Sequence, residues 1–430
     1  MKIIKLEVEG FRSLKSQTWC PGELNVLIGP NASGKSNLLR VLEMLSTAAQ
    51  GRLGRYIQQE GGMEPLVWDG QADRICISAK MTPLPPYSEP LTDALTYKLD
   101  LARLGMSSSY RIDNEVLGNY CMVDTGASPG PYILLERRPG HAVVYSIGAQ
   151  AFQSLPSTTT STKTLPATTS TTTTTQTPYP PSPPPVIAPD GSLPGEEALL
   201  AFSSGPFAAN IFAAGFQAEL ASWKIHHDFQ THRDSQIRAA QVTRSETEVS
   251  ADGQNLVSVL HTLYARDRDF KNEIDTAMRA AFGDDFEELV FPPAADQRIQ
   301  LRVRWRSLMQ PAADLSDGTL RFLFLLAVLA NPSPPPLIAI DEPETGLHPS
   351  MLPIIAEYAR DAALKSQIIF TTHSPEFLDA FGDEVPTTTI VERQEGQTIL
   401  RVVSGDELSY WLKQYTLGDL YRTRELEAMR

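Results

Sequence analysis

The eight residues Gly29-Pro30-Asn31-Ala32-Ser33-Gly34-Lys35-Ser36 fit G-x-x-x-x-G-K-[ST] at every fixed position, and this pattern has physical meaning only between a strand and a helix. Both flanks comply. Leu24-Asn25-Val26-Leu27-Ile28 is a short apolar run of the buried-strand type. From Ser36 to about Gln50, Leu38, Leu39, Val41, Leu42 and Leu45 fall on one helical face with no proline between them. In that setting backbone N–H groups along Gly29, Asn31, Ala32, Ser33, Gly34 and the helix start at Lys35, Ser36 and Asn37 cradle a nucleotide's phosphates. The helix aims its positive end at the same anion, Lys35 neutralises β/γ oxygens, and Ser36 ligates Mg²⁺. The bland alternative is a glycine turn that holds nothing.

Around this loop, 430 residues are more than one compact core usually holds, so two or three lobes are expected. The 42% hydrophobic and 20% charged residues fit a globular chain, not a fibre. No apolar run reaches the ~18–20 residues of a membrane span, and Met1-Lys2-Ile3-Ile4-Lys5 puts charge where an export signal is apolar, so no membrane partner and a cytoplasmic location are expected. Cys20, Cys76 and Cys121 form no C-x-x-C pair and indicate neither disulfides nor zinc. A net charge of -14 opposes avid, sequence-blind binding to nucleic acid. The alternation in Leu301-Arg302-Val303-Arg304-Trp305-Arg306 would set three arginines on one strand face, either as a basic surface or simply as a solvated one.

The chain divides into four stretches. Residues 1–150 carry the phosphate loop and, from 73 to 147, short strand-like runs that suggest an antiparallel meander. Residues 151–190 collapse to Thr, Ser and Pro and are expected to be a disordered insertion. Residues 191–285 are mostly helical in pattern and suggest a small helical lobe; their heptads are not sustained, which argues against a long coiled coil. Residues 286–430 alternate strand and helix, the mark of a mainly parallel sheet. The fold class is therefore α/β, with a mixed, mainly parallel sheet, a meander and a helical lobe.

Three further elements carry chemistry. Leu337-Ile338-Ala339-Ile340-Asp341-Glu342 is an apolar strand ending in two carboxylates: Asp341 suits Mg²⁺, and Glu342 suits a base that orients or deprotonates water. Gln367-Ile368-Ile369-Phe370-Thr371-Thr372-His373 ends in a histidine able to donate to a γ-phosphate, or else in an ordinary hydrogen-bonded one. Leu315-Ser316-Asp317-Gly318-Thr319 precedes an apolar helix. Ser316 reads as its N-cap, and Ser316, Gly318 and the free helix N–H groups form a second phosphate-binding surface. His226, His227 and His232 cannot share one helix face and read as solvated or capping residues.

In this order the elements resemble the ABC-type P-loop ATPases: Walker A, signature, Walker B with its catalytic Glu, and switch histidine. Val8-Glu9-Gly10-Phe11-Arg12-Ser13-Leu14, Ser316-Asp317-Gly318-Thr319 and Asp341-Glu342-Pro343-Glu344-Thr345-Gly346-Leu347-His348-Pro349 resemble the RecF, SMC and OLD-like branch. That resemblance implies an ABC-type head whose two copies sandwich two ATP molecules, Lys35 of one facing Ser316 and Gly318 of the other, with Arg12 near the nucleotide. It implies ATP hydrolysis with Glu342, His373 and Lys35 as the catalytic group, ATP and Mg²⁺ as ligands, and roles in DNA repair or maintenance or in antiviral defence. The partners it admits are a second copy, DNA, or a separate effector protein. Two departures are visible: the usual Ser-Gly-Gly reads Ser316-Asp317-Gly318, and His348 stands where transporter heads commonly carry Asp. The Q-loop is open among Gln58, Gln59 and Gln71. A Toprim nuclease is not expected, since no D-x-D pair follows His373. The alternative function is a module whose dimer closes on ATP, with little turnover, to control an effector.

Overall fold

The computed structural model describes residues 1–84, 94–105, 108–120, 132–145, 185–187, 195–204, 210–242, 244–294, 298–403 and 406–428. Strands β1 (Ile3–Phe11) and β2 (Leu14–Trp19) form a hairpin that leads into β3 (Leu24–Ile28), the phosphate loop and helix α1 (Lys35–Ala49). After α2 (Leu53–Gln59) come β4 (Arg74–Met81), β5 (Ala94–Arg103), β6 (Tyr110–Tyr120), β7 (Tyr132–Arg138), β8 (His141–Tyr145) and β9 (Pro185–Ile187). Next are α3 (Ile211–Ala221), β10 (Lys224–His226), β11 (Gln241–Val242), α4 (Leu256–Arg266), α5 (Arg268–Phe282), β12 (Phe286–Val290), β13 (Arg298–Ile299), β14 (Arg302–Trp305) and β15 (Met309–Pro311). The remainder runs α6 (Asp317–Leu329), β16 (Leu337–Asp341), α7 (Leu352–Ala363), β17 (Gln367–Thr372), α8 (Pro375–Asp379), β18 (Thr387–Gln394), β19 (Gln397–Val403), α9 (Asp406–Trp411), α10 (Leu417–Arg422) and α11 (Glu425–Ala428).

Two sheets organise the molecule. One is the antiparallel meander, in the order β2-β1-β4-β5-β6-β7-β8-β9. The other, in the order β10-β16-β17-β3-β18-β19, is parallel except for its last pair. Its central strands are largely apolar and buried because both faces are covered, and the period of two assigns residues to two cores. Val26, Ile28, Ile338, Ile340, Ile368 and Phe370 join α4 to α8, whereas Leu27, Leu337, Ala339 and Ile369 join α1, α3 and the meander. The sheets are tied at one edge, where Trp19 Nε1 donates to Thr389 Oγ1 (3.0 Å) and the Leu400 N–H donates to Gln17 Oε1 (3.0 Å).

The helices of the stretch 191–285 divide between the two cores. Helix α3 packs with α1 in the core shared with the meander, α4 and α5 lie in the other core, and between them β10 pairs with β16 as a sixth strand of the central sheet. Burial of Ile225 and His226 at that edge explains the strand, which at three residues is too short to display a period. Most of the Thr/Pro-rich stretch 151–190 lies outside the described residues; Pro185–Ile187 within it pairs antiparallel with β8. The arginine-bearing strand is β14. Arg302 donates to Gln300 Oε1 (3.2 Å), and Arg304 pairs with Glu288 of the neighbouring strand, which Lys271 also approaches (3.7 Å). These arginines therefore face protein acceptors instead of forming a bare basic stripe. Cys20 and Cys76 are free thiols, and Cys121 lies outside the described residues. Among the described residues no helix is long and apolar enough to cross a membrane.

Candidate functional site

Strands β16, β17 and β3 run parallel and adjacent, with Asp341 opposite Thr371 and Thr372 opposite Ile28. Their carboxyl ends therefore open on one edge of the sheet, the position at which such folds bind ligands. The phosphate loop leaves β3 there. Gly34 has φ +108°, and a Cβ on it would meet Thr398 Oγ1 at 2.0 Å and Ser13 Oγ at 2.8 Å. At Gly29 an added Cβ would stand 2.1 Å from the Val391 carbonyl. Glycine is thus required by close approach as well as by backbone conformation. Thr398 Oγ1 donates to the Ser33 carbonyl (2.7 Å) and contacts Ser13 Oγ (2.6 Å), which accepts from Asn37 Nδ2 (2.7 Å). The loop is consequently clamped from β19 and from the β1–β2 hairpin.

Lys35 is buried and donates to the carbonyl oxygens of Gly29 (2.7 Å) and Pro30 (3.1 Å). Burial lowers its pKa below the ordinary lysine value, against the opposing pull of Glu342, Asp341 and Glu344. Asp341 accepts a hydrogen bond from Thr371, the Ser36 hydroxyl faces it, and His227 Nδ1 lies 3.9 Å away. Burial works to raise the Asp341 pKa, but hydrogen bonds from His227, Thr371 and Ser36 outweigh it and hold the carboxyl below its usual range. The Ser36 hydroxyl and a carboxylate kept ionised are hard oxygen donors that fit Mg²⁺.

Glu342 adopts φ 47°, in the left-handed region where a residue with a Cβ is strained by about 1–3 kcal/mol. Two bonds from its N–H, to the Thr371 carbonyl and to Thr371 Oγ1 (both 3.1 Å), fix that conformation. Ala32 (φ 63°) and Arg12 (φ 48°) are also left-handed, so three of the six such non-glycine residues among those described belong to this region. His373 Nδ1 is 3.1 Å from Glu342 Oε1, and both side chains are partly open to solvent.

The residues expected to converge are distributed as follows. Lys35, Ser36, Asp341, Glu342 and His373 share the sheet edge. Arg12 turns its guanidinium to Glu60, which Arg40 also holds (2.7 Å), so its tie to the loop passes through the neighbouring Ser13. Ser316 caps α6, accepting from the Thr319 N–H (3.0 Å), and a Cβ on Gly318 would meet the Gly346 carbonyl at 2.6 Å. The signature turn thus packs on the loop after Walker B and not on Lys35. His348 caps the turn that follows, its Nδ1 accepting from the Ser350 N–H (3.3 Å). Gln58 lines an open cavity with Tyr110 and Glu196.

Sequence reasoning missed His227, which follows β10 and lies 3.0 Å from Glu43 Oε2 on α1 as well as beside Asp341. Burial alone would lower its pKa, but the neighbouring carboxylates of Asp341 and Glu43 prevail and push it up to about 9. No sequence signal announced it: Trp223-Lys224-Ile225 before the histidine pair holds a single β-branched residue, inside a helical-looking stretch. Glu344 was also missed as a separate participant: it accepts from Thr372 Oγ1, and burial raises its pKa. Among the described residues no group of three or more His, Cys, Asp and Glu forms a further metal site.

A strand–loop–helix phosphate cradle on a parallel sheet defines the P-loop class of nucleotide-binding folds. A family model described as "AAA domain, putative AbiEii toxin, Type IV TA system" matches residues 217–379, and one described as "AAA ATPase domain" matches residues 1–73. Over 76 residues the chain is 33% identical to a DNA replication and repair protein RecF of Moorella thermoacetica, a match spanning 17% of this chain and 19% of that protein. It is similar in fold to an SMC head solved bound to the C-winged helix domain of ScpA, at 12% identity and TM-score 0.56, covering 95% of this chain and 100% of that one. An Smc head with an extended coiled coil, bound to the C-terminal domain of ScpA and derived from Pyrococcus furiosus, aligns at 12% identity over 96% and 99% of the two chains, with a TM-score of 0.48. The two family models, the likeness to RecF over 76 residues and the SMC-head fold together support an ABC-type P-loop ATPase of the RecF/SMC-like branch.

Proposed function

We propose that the protein is an ATP-hydrolysing switch whose two copies close around two nucleotides. The observation that carries this reading is Glu342: a strained carboxylate, pinned by Thr371, in contact with His373 and on the same sheet edge as Lys35. An uncommon backbone conformation held by surrounding hydrogen bonds at the end of a central strand supports a working role for this residue.

In the proposed reaction, Lys35 exchanges the Gly29 and Pro30 carbonyls for β/γ-phosphate oxygens. Mg²⁺, held by Ser36 and Asp341, would neutralise phosphate charge. Glu342 orients a water in line with the γ-phosphorus and takes its proton; an O–P bond forms, the bond to the bridging oxygen breaks, and the electron pair leaves on ADP. His373, whose Nδ1 is turned to Glu342, would use Nε2 to hold a γ-phosphate oxygen. The exposure of both side chains is consistent with a second copy completing the site, bringing Ser316 and Gly318 over the nucleotide.

DNA is proposed as the partner whose binding is switched. Support comes from the likeness to a RecF protein over 76 residues; against it stand a net charge of -14 and arginines on β14 that already face Gln300 and Glu288. A role in defence rests on the family description that names a toxin system. The deciding experiment measures phosphate release and ATP-dependent mass in solution for wild type and Glu342→Gln. Release should fall by about 10²-fold or more in the mutant while ATP traps it as a dimer. Pairing on ATP with negligible wild-type release would instead establish the module that controls an effector, and loss of neither property in Glu342→Gln would refute the hydrolytic assignment.

A further inference from the structure

The departure from Ser-Gly-Gly at Asp317 has a structural counterpart in Arg238. This guanidinium is buried and spends its donors on one turn: Nη1 donates to the carbonyls of Ala312 (3.1 Å), Ala313 (3.1 Å) and Leu315 (2.7 Å), Nε to the Thr231 carbonyl (2.7 Å), and Nη2 to Asp317 Oδ1 (2.6 Å). Three carbonyls of the turn Ala312–Leu315 converge on one amine group, which ties the turn down; the Ala312 carbonyl also accepts from the Leu315 N–H (3.4 Å). Asp317 is the first residue of α6, and its side chain is 65% exposed. A free carboxylate there would be stabilised by the helix N-terminus and would repel the phosphate that the same N–H groups are meant to bind. The ion pair offsets that charge and fixes which way the carboxylate points.

We propose that Arg238 is the positioning residue for the signature turn, holding Asp317 aside and fixing Ser316 and Gly318 so that α6 can present its first N–H groups to a nucleotide bound by a second copy. This inference rests on the nucleotide-sandwich reading above. Its anchor reaches back toward the Walker B carboxylate, because Arg238 and Thr231 belong to the same segment as His227, which is held by Glu43 and Asp341. The lowered pKa of Asp317, owed first to the hydrogen bond from Arg238 and then to Thr231, agrees with this geometry.

The test uses full-length protein in the Glu342→Gln background, reading the ATP concentration needed for half-maximal dimerisation, ATP binding by the monomer, and amide exchange across residues 312–320. Arg238→Ala should raise the dimerisation midpoint by about tenfold or more, speed exchange in that turn, and leave monomer ATP binding unchanged. Adding Asp317→Gly should recover the part of the pairing lost to the freed carboxylate while exchange in the turn stays fast, which a purely structural arginine would not allow. Where Arg238→Ala does not fold, Arg238→Lys, which keeps the charge but loses the fan of bonds, supplies the same readouts with a smaller shift. Pairing at the unmutated midpoint in a folded Arg238 variant overturns the inference, as does a loss that Asp317→Gly leaves uncorrected. A protein that never pairs on ATP, with Arg238 intact, overturns the sandwich reading itself and this inference with it.

Discussion

His373 and Glu342 form a pair in which each side chain limits the other's orientation, so their separate removal has different signatures. His373→Ala should lower kcat for ATP by about 10- to 100-fold while KM changes little, since in the proposed reaction Lys35 and the loop amides would hold the nucleotide without it. A proportionate rise in KM, seen in steady-state phosphate release, would assign the histidine to binding instead. Gly34 makes a prediction of a different kind. A methyl group there meets Thr398 and Ser13 in a backbone conformation that disfavours any side chain. Gly34→Ala should therefore lower Tm by an amount equivalent to about 1–3 kcal/mol and abolish ATP binding in calorimetry. An unchanged Tm would mean that β19 yields.

At the scale of elements, β10 ties buried chemistry to the sheet edge. His226 is fully enclosed, stacks edge-on against Phe324 (centroids 5.0 Å) and contacts the Ala251 carbonyl through Nδ1 (3.1 Å). Burial drives its pKa down to about 4, so the folded protein keeps it neutral while the unfolded chain protonates near pH 6.5. Its contribution to stability is present above that unfolded value and is lost as pH falls through 4, a difference of about 3 kcal/mol. Urea unfolding of His226→Phe should show a shallower loss over that interval; parallel curves would place the acid sensitivity elsewhere. The same strand marks the limit of what the sequence could disclose. Strands β3, β16 and β17 were legible because burial on both faces leaves long apolar runs, and Asp341, Glu342 and His373 were legible because they end those runs. β10 has three residues, and its neighbours α3 and α4 are helical, so no periodicity could announce it or His227. The fan of Arg238 was invisible for another reason: its acceptors are backbone carbonyls far along the chain, and carbonyls carry no sequence code.

For the molecule as a whole, the phosphate loop is an N-terminal element built into C-terminal surroundings. Strand β3 lies between β17 and β18, and Thr398 of β19 braces Ser33. A chain shortened to end at residue 380 retains every Walker and signature residue but loses two strands of the sheet. It should bind no ATP, and co-expression of residues 381–430 should restore binding if the interface is reformed. ATP binding by the shortened chain alone, measured by calorimetry, would show that β18 and β19 are dispensable.

The placement of β3 also bears on how the protein is made. When Lys35 emerges from the ribosome, the strands that must flank its loop are more than three hundred codons from being translated. Until then the nascent N-terminal half lacks both neighbours of β3. Assembly of the loop's surroundings is thereby deferred until synthesis has passed β18, the second of the two strands that flank β3.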